Sequence, residues 1–201
     1  VLRTKEGSIR SKKIVVATNG FYQEGLIPQM DGRVLPVISN IIVTRKLNED
    51  ELNVHNFKTF SPIANTKNLL YYYRKLPDNR ILFGTRGDLT GSDQSNLAMS
   101  VKMEKFLKDI FPKWSNVTID YNWRGLIALS QKLTPSIGKI DNEEIYYGFG
   151  YNGVGVSAAP WTGKQLSKLV FSSNSKELDI SKIYKGLPKK FIFPQLRTFY
   201  F

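Results

Sequence analysis

The chain has no cysteine and only one histidine among its 201 residues. The absence of cysteine excludes disulfides, thiolate zinc sites, a catalytic thiol and a thioether-linked cofactor in this part of the protein. With His55 as the only imidazole, we expect neither a multi-histidine metal site nor a compact Ser-His-Asp relay. His55 lies in an apparently irregular, asparagine-rich stretch, where we predict a solvated loop residue.

Long apolar runs are also missing, and none approaches the length of a membrane-spanning helix. The start, Val1 to Lys5, has no Met and lacks the shape of a signal peptide. These two absences predict a cytoplasmic protein without a transmembrane segment. The opening residues resemble the middle of a strand, and we therefore expect the sequence to begin inside a larger protein.

Basic residues outnumber acidic ones, giving a formal net charge of +12. Such a balance can indicate nucleic acid, an anionic membrane surface or anionic ligands as partners. Here the lysines and arginines are scattered, without an RNA-reading or zinc-finger motif, so we expect no nucleic-acid partner. The alternative is a basic anion- or nucleic-acid-binding module without catalysis, which requires lysines and exposed aromatics on one face.

Hydrophobic residues make up 41% of the chain, enough for a sizeable core. Apolar alternation and turn residues predict an antiparallel sheet with flanking helices. The predicted strands are a hairpin over 1–13, a buried strand at 14–17, a long strand at 34–44, a hairpin formed by 69–75 and 80–86, and strands at 117–123 and 144–149.

Helical spacing predicts two long helices, over 93–111 and 153–171, and a helical turn at 47–52. Asp93 is the expected cap of the first long helix. Its expected apolar stripe consists of Leu97, Val101, Phe106, Leu107 and Ile110. Pro160 predicts a kink or a later start in the second long helix. From Lys182 onward the tail is basic and aromatic, typical of an extended arm packed on the body.

The segment from Gly148 to Gly153 matches the pattern G-x-G-x-x-G between a predicted strand and a predicted helix. A dinucleotide loop also requires an acidic residue after a second strand, and the candidates Glu177 and Asp179 come late. Too little chain follows to complete a Rossmann unit. Such a loop still directs backbone N–H groups and a helix dipole at one point, which stabilises negative charge. Alternatively, the glycines only permit close packing of helix and strand, as in an interaction domain.

Several segments, in order, resemble the FAD-dependent oxidoreductases of the D-amino-acid oxidase, glycine oxidase and gamma-glutamylputrescine oxidase-like (DAO) superfamily. These segments are Ile14-Val15-Val16-Ala17-Thr18-Asn19-Gly20, Tyr72-Tyr73-Arg74, Asn79-Arg80-Ile81-Leu82-Phe83-Gly84, Trp123-Arg124-Gly125, Thr134-Pro135-Ser136-Ile137-Gly138, and Ile145 to Gly155 followed by Ala158-Ala159 and Gly163. The resemblance covers nearly the whole chain, and its specificity lies in the order and spacing of the pieces.

The resemblance implies an α+β fold: an antiparallel-sheet substrate domain beside the last strands and C-terminal helix of an incomplete FAD-binding domain. The implied boundaries are 1–32 for returning strands of the FAD domain, 33–125 for the substrate domain, 126–175 for the rest of the FAD domain and 176–201 for a C-terminal arm. The N-terminal half with its Rossmann glycine loop is the implied partner of this chain.

The implied activity is oxidation of a C–N bond in an amine or amino acid by hydride transfer to non-covalently bound FAD, giving an imine that hydrolyses. The implied cofactor-binding residues are Ala17, Thr18, Gly150, Tyr151, Asn152, Gly153, Val154 and Gly155, and the implied substrate-binding residues are Tyr72, Tyr73, Arg74 and Trp123. No catalytic residue or metal ligand is assigned. Strand alternation puts Tyr72 and Tyr73 on opposite faces, so at most one of the two faces lines a pocket.

One departure from the family bears on the substrate. Members that bind an α-carboxylate place an arginine shortly after the Trp-x-Gly element, where this chain has Leu126-Ile127-Ala128. Arg124, Arg74 and Arg86 are other candidate carboxylate partners. A simple amine therefore remains as plausible a substrate as an amino acid, and the electron acceptor stays open.

Overall fold

A computed structural model describes residues 1–66, 70–87, 91–171 and 179–192 of the chain. The strands are, in chain order, β1 (Leu2–Thr4), β2 (Gly7–Ile9), β3 (Ile14–Val16), β4 (Leu35–Thr44), β5 (Ile63–Ala64), β6 (Tyr71–Lys75), β7 (Ile81–Arg86), β8 (Ile119–Leu129), β9 (Ser136–Lys139) and β10 (Ile145–Phe149). The α-helices are α1 (Glu49–Asn53), α2 (Asp93–Ile110) and α3 (Gly155–Phe171). This architecture confirms the predicted mixed α+β class.

The chain divides into two compact units. Unit 1 comprises Val1–Pro36 and Ile127–Phe201, and unit 2 comprises Val37–Leu126. In the described part of the chain, no helix combines the length and apolar character needed to cross a membrane.

Unit 1 is built on a three-stranded sheet in the order β3-β10-β9, beside the separate hairpin of β1 and β2. β10 pairs parallel with β3 and antiparallel with β9. Because side chains alternate along β10, Tyr146 joins the core under α3, whereas Tyr147 and Phe149 join the core on the opposite face. The prediction of a buried strand at 14–17 is wrong for most of its residues, because β3 lies at the border of the sheet: Val16 is buried, whereas Val15 and Ala17 are exposed.

Unit 2 contains a five-stranded sheet in the order β5-β6-β7-β4-β8. Its core joins strand residues such as Ile42 and Phe83 to Met103 and Leu107 of α2. An aromatic group that includes Phe57, Phe111 and Trp114 completes this core. Burial of these large side chains supplies the main driving force for the unit, because the free energy scales with the apolar area removed from water.

The start of α2 differs from the prediction by one residue. Ser92 is the N-cap, and its hydroxyl accepts a hydrogen bond from the Ser95 N–H at 3.1 Å. Asp93 instead lies in the first turn, where its carboxylate binds Arg124 at 3.1 Å. Serine and aspartate are both good caps, so the sequence alone did not separate them.

The predicted apolar stripe of α2 is wrong at three positions. Leu97, Val101 and Ile110 are 67%, 64% and 37% exposed. The buried face instead carries Met103 and Leu107, with Met99 and Phe106 partly buried beside them. Positions 99, 103, 106 and 107 recur at the helical period, whereas 97 and 101 point away from that face. The methionines mark the packed side, since flexible thioethers fill irregular gaps in a core.

The prediction of a solvated loop for His55 is also wrong. Its ring packs edge-on against Phe111 and Trp114, with centroid distances of 5.2 and 5.1 Å. The Nε2 atom is buried and has no hydrogen-bond partner. Burial, with a smaller contribution from the charge of Lys113, lowers the pKa of His55. His55 is enclosed because of tertiary packing. Phe111 and Trp114, which follow α2, cover the turn that contains His55, although the sequence of that turn is polar.

Other boundaries shift by small amounts. β8 extends to Leu129, six residues beyond the predicted end at Trp123. α3 begins at Gly155, two residues after the predicted start, and contains Pro160. Three parts of the prediction lie outside the described residues: Leu69 in the central hairpin, the candidate acidic residue Glu177, and the end of the basic tail from 193 onward.

Candidate functional site

The ends of β3 and β10 define one edge of the sheet in unit 1. These strands are parallel, with Val16 paired to Tyr147, so their carboxyl ends lie side by side. Ala17 and Thr18 follow β3 and are exposed there. The loop from Gly150 to Gly155 follows β10. The structure thus brings the two predicted cofactor-binding segments to the same edge.

A side chain missing from the predicted site joins these two segments. The Asn19 Oδ1 atom accepts a hydrogen bond from the Gly150 N–H at 3.0 Å, across 131 positions of sequence. Asn19 has a φ of 48°, in the left-handed region that asparagine tolerates better than most residues. The sequence signal was the segment from Ile14 to Gly20, in which the family resemblance assigned only Ala17 and Thr18 to the cofactor.

Asn152 fixes the same loop from within. Its N–H donates to the Ala128 carbonyl at 2.9 Å, and its Oδ1 accepts from the Ser130 N–H at 2.9 Å. Its Nδ2 donates to the Gly150 carbonyl. Asn152, predicted as a cofactor-binding residue, therefore makes all of these bonds inside the protein, and they define the path of the loop.

The glycines of the G-x-G-x-x-G segment have different roles. A Cβ at Gly148 would lie 2.6 Å from Thr162 Cγ2 and 2.7 Å from Leu166 Cδ1, so this glycine allows α3 to pack closely on β10. Gly150 and Gly153 have φ values of 77° and 93°, which few side chains tolerate. The packing interpretation therefore holds for Gly148, whereas the other two set the loop conformation.

The edge offers backbone donors to a ligand. Within the described residues, the N–H groups of Gly153, Gly155 and Val156 have no hydrogen-bond acceptor. They lie at the N-terminus of a 17-residue helix whose first turn carries no acidic side chain. The unpaired donors and the helix dipole favour negative charge at this point. A Cβ at Gly153 would meet nothing within 4 Å, so there is room above the loop.

These features fit the electron-rich end of a flavin, which needs N–H donors and an open approach. They do not complete a Rossmann loop, because the described chain after α3 contains a 3-10 turn at Lys182–Tyr184 but no strand. Among the described residues, no group of histidine, aspartate and glutamate side chains is arranged to hold a metal ion.

The remaining loop residues differ in exposure. The Tyr151 hydroxyl donates to the Gly148 carbonyl at 3.4 Å. Burial, as the main cause, raises the pKa of Tyr151, so the phenol stays neutral at physiological pH. Val154 is 58% exposed at the start of α3. Val154 thus adds an exposed apolar surface beside the unpaired N–H groups of this edge.

In unit 2, the two candidate substrate tyrosines lie on opposite faces of β6. Tyr73 belongs to the core, where its ring stacks on Phe83 at 6.2 Å between centroids. Tyr72 lies on the other face, where its hydroxyl is 3.0 Å from Ser39 Oγ. A Cβ at Gly84 on β7 would overlap the Tyr72 ring. Only Tyr72 is thus placed to meet a ligand outside the core.

Trp123 and Arg124 also point to opposite sides. Arg124 donates to the Ser92 carbonyl at 2.8 Å and pairs with Asp93 at the start of α2. Alternation along β8 therefore directs Trp123, which is 46% exposed, to the side away from α2. Arg74, two residues from Tyr72 on the same strand, is exposed on the sheet face opposite the core. We call this side, with Tyr72, Arg74 and Trp123, the open face of unit 2.

Known proteins resemble this chain in sequence. A family model described as "DAO: FAD dependent oxidoreductase" matches residues 1–169. The chain is 32% identical over 170 residues to gamma-glutamylputrescine oxidoreductase of Escherichia coli strain K12, covering 85% of this chain and 39% of that protein. It is 28% identical over 193 residues to the probable oxidoreductase OrdL of Haemophilus influenzae, covering 92% of this chain and 41% of that protein. The chain thus spans about two fifths of the length of these curated relatives.

Solved structures share the fold. Glycine oxidase from Geobacillus kaustophilus superposes with a TM-score of 0.66 at 17% identity, covering 88% of this chain and 45% of that chain. Fructosyl peptide oxidase from E. terrenum superposes with a TM-score of 0.68 at 13% identity, covering 98% of this chain and 49% of that chain. At these identities the likeness establishes the fold alone.

Proposed function

We propose that this chain, which belongs to the DAO family of FAD-dependent oxidoreductases, is part of a protein that oxidises the C–N bond of an amine or amino acid. The observation that carries this proposal is the edge of unit 1, where the Asn19–Gly150 hydrogen bond holds together the two segments that the family resemblance assigns to the cofactor. The unpaired N–H groups at the start of α3 and the open space above Gly153 support the proposal, because such a helix start favours a ligand with negative charge.

The residues of this edge would hold the flavin part of FAD. When bound, the flavin accepts a hydride from the carbon next to a neutral amine, and the resulting imine hydrolyses. Ala17 and Thr18 are exposed beside the loop and supply contacts from the β3 side. The N–H groups of Gly153 and Gly155 lie at the start of α3 and are suited to stabilise negative charge that develops during the reaction.

The open face of unit 2 would bind the substrate. Tyr72 and Trp123 offer two aromatic surfaces that can pack on an alkyl chain or accept a cationic amine. The Tyr72 hydroxyl and Ser39 Oγ share one hydrogen bond, which holds the phenol in place. Tyr73, although part of the sequence prediction, packs partly buried against the core on the other face and has no part in this proposal.

We favour an amine over an amino acid because the position that the family uses for an α-carboxylate partner holds Leu126-Ile127-Ala128 in this chain. The nearest arginine, Arg124, binds Ser92 and Asp93 through its guanidinium. A carboxylate would have to rely on Arg74, which is exposed, or on Arg86, which strand alternation along β7 places on the open face. The relative from Escherichia coli is named for gamma-glutamylputrescine, a conjugate that joins the diamine putrescine to glutamate.

The visible absorbance of the protein, expressed from its complete reading frame, tests this proposal. We expect flavin bands that bleach when a substrate is added without oxygen. A matched panel should pair each amine with its α-carboxylated counterpart, for example an alkylamine with the corresponding amino acid. Faster bleaching by the amine supports the substrate class, whereas bleaching by the amino acid alone would restrict the proposal to amino-acid oxidation. A colourless protein that also takes up no added FAD would refute the function.

A further inference from the structure

We infer that Asn19 and Asn152 act together as positioning residues for the flavin-binding loop. The inference rests on the proposed function, and it assigns to the side chains of two asparagines a role that the glycines of the loop cannot fulfil. Asn19 Oδ1 accepts from the Gly150 N–H at 3.0 Å, and Asn152 Nδ2 donates to the Gly150 carbonyl. Gly150 is thus held at both its donor and its acceptor.

This double attachment matters because glycine has no preferred conformation of its own. Gly150 has a φ of 77°, and it shares the left-handed region with Gly153 only a few residues away. A loop with two such residues loses more conformational entropy on ordering than an ordinary loop. The two asparagine side chains oppose that freedom, and each is itself in the left-handed region, at φ 48° and 51°.

The attachment also selects which N–H groups remain for a ligand. The Gly150 N–H is occupied by Asn19, and the Asn152 N–H is occupied by the Ala128 carbonyl. Negative charge at the edge is thus left to the unpaired N–H groups of Gly153, Gly155 and Val156. Since electrostatic stabilisation depends on donors fixed before the reaction, release of Gly150 would weaken it even though no donor is deleted.

The test replaces each asparagine with glycine, which tolerates a positive φ and removes only the side-chain bonds. Asn142→Gly is the matched control, because Asn142 has a φ of 61° but is exposed in the turn between β9 and β10. The first measurement is amide hydrogen exchange of the loop in the full-length protein, which needs no activity. We expect faster exchange at Gly150 in Asn19→Gly and Asn152→Gly, and no change there in the control.

The second measurement is the reduction potential of the bound flavin, determined by equilibration with a reference dye. For Asn19→Gly and for Asn152→Gly we expect a shift of at least about tenfold toward oxidised flavin, which corresponds to about 30 mV for a two-electron couple. A merely structural role would change the melting temperature without moving the potential. Because the two variants act on the same residue from opposite sides, failure of one to fold leaves the other informative.

The outcomes distinguish the positioning role of the two asparagines from the proposed function. A flavin-containing wild type whose two variants keep the wild-type potential overturns this inference and leaves the proposed function intact. A wild type that binds no flavin overturns both. Loss of flavin from either folded variant, with flavin retained in the Asn142 control, supports the inference at the level of cofactor binding.

Discussion

The ring of Tyr72 lies directly over the α-carbon of Gly84 on the neighbouring strand, with the two residues paired across β6 and β7. The absence of a side chain at Gly84 thus leaves the space that the Tyr72 ring occupies. Its φ is not in the left-handed region, so the requirement for glycine here is spatial and not conformational.

Gly84→Ala should displace Tyr72 and weaken substrate binding. The added methyl group would overlap the ring, and overpacking of this kind costs about 1–3 kcal/mol. We expect a lower melting temperature and a higher KM for the amine substrate. Gly125→Ala on β8 is the control, because a Cβ there meets nothing within 4 Å, and it should leave the melting temperature unchanged or slightly raised. An unchanged KM in Gly84→Ala would argue against a substrate role for Tyr72.

Gly153→Ala should impair flavin binding through backbone strain alone. Gly153 has a φ of 93° and open space above it, so the substitution meets no atoms but forces an unfavourable conformation. Strain of this kind costs about 1–3 kcal/mol. Gly163→Ala within α3 also meets open space, yet there it should stabilise the helix by about 0.5–1 kcal/mol. The flavin dissociation constants and melting temperatures of Gly153→Ala and Gly163→Ala test this prediction. Equal values for the two variants would contradict it.

Unit 2 should lose stability in strong acid through Glu51. Arg45 binds its carboxylate with two hydrogen bonds, at 2.7 and 2.9 Å, and together with the Asn48 N–H lowers the pKa of Glu51 to about 2. The unfolded chain takes up the proton near pH 4.5, the ordinary value, before the folded one does. The stabilisation is therefore complete above that pH and declines as the pH falls toward 2.

Urea unfolding as a function of pH measures this contribution. In Glu51→Gln the free energy of unfolding should fall less steeply between pH 4.5 and 2 than in the wild type. Glu49→Gln removes a carboxylate from the same helix that forms no ion pair among the described residues, and it should keep the wild-type slope. Parallel curves for Glu51→Gln and the wild type would exclude this source of acid sensitivity.

His55 should add a second loss of stability at milder acidity. Burial against Phe111 and Trp114 lowers its pKa below the ordinary 6.5, so the folded protein prefers the neutral ring. As the pH falls below 6.5, the unfolded state binds a proton that the folded state resists, and the free energy of unfolding decreases. His55→Phe, which keeps an aromatic ring in the cluster, should flatten the curve between pH 7 and 5. If the free energy of unfolding decreases by the same amount in His55→Phe as in the wild type, a group other than His55 causes the decrease.

Most strands and both long helices could be predicted from sequence because they depend on local patterns. The apolar run before Thr18 and the alternation in 71–75 each specify a strand without knowledge of its neighbours. Leu97 and Val101 are exposed, and they show the limit of local patterns. Apolar residues lie on several sides of α2, so only packing against the sheet determines that Met103 and Leu107 are the buried ones.

The candidate site was predictable only in part for a similar reason. Ala17, Thr18 and the glycine loop follow from family resemblance, and strand alternation separates Tyr72 from Tyr73. The bond from Gly150 to Asn19 spans 131 positions, and no local pattern indicates it. The same is true of His55, whose aromatic partners come from a segment that lies more than fifty positions away in sequence.

The position of β3 at the border of its sheet has a practical consequence. In the described part of the chain, its hydrogen-bonding groups on the side away from β10 have no strand beside them, and Val15 is 49% exposed. An uncovered strand edge is a template for pairing with another chain. Purified as the 201-residue segment alone, the protein should therefore self-associate through this strand, and a longer expression product that supplies a neighbouring strand should remain dispersed at the same concentration.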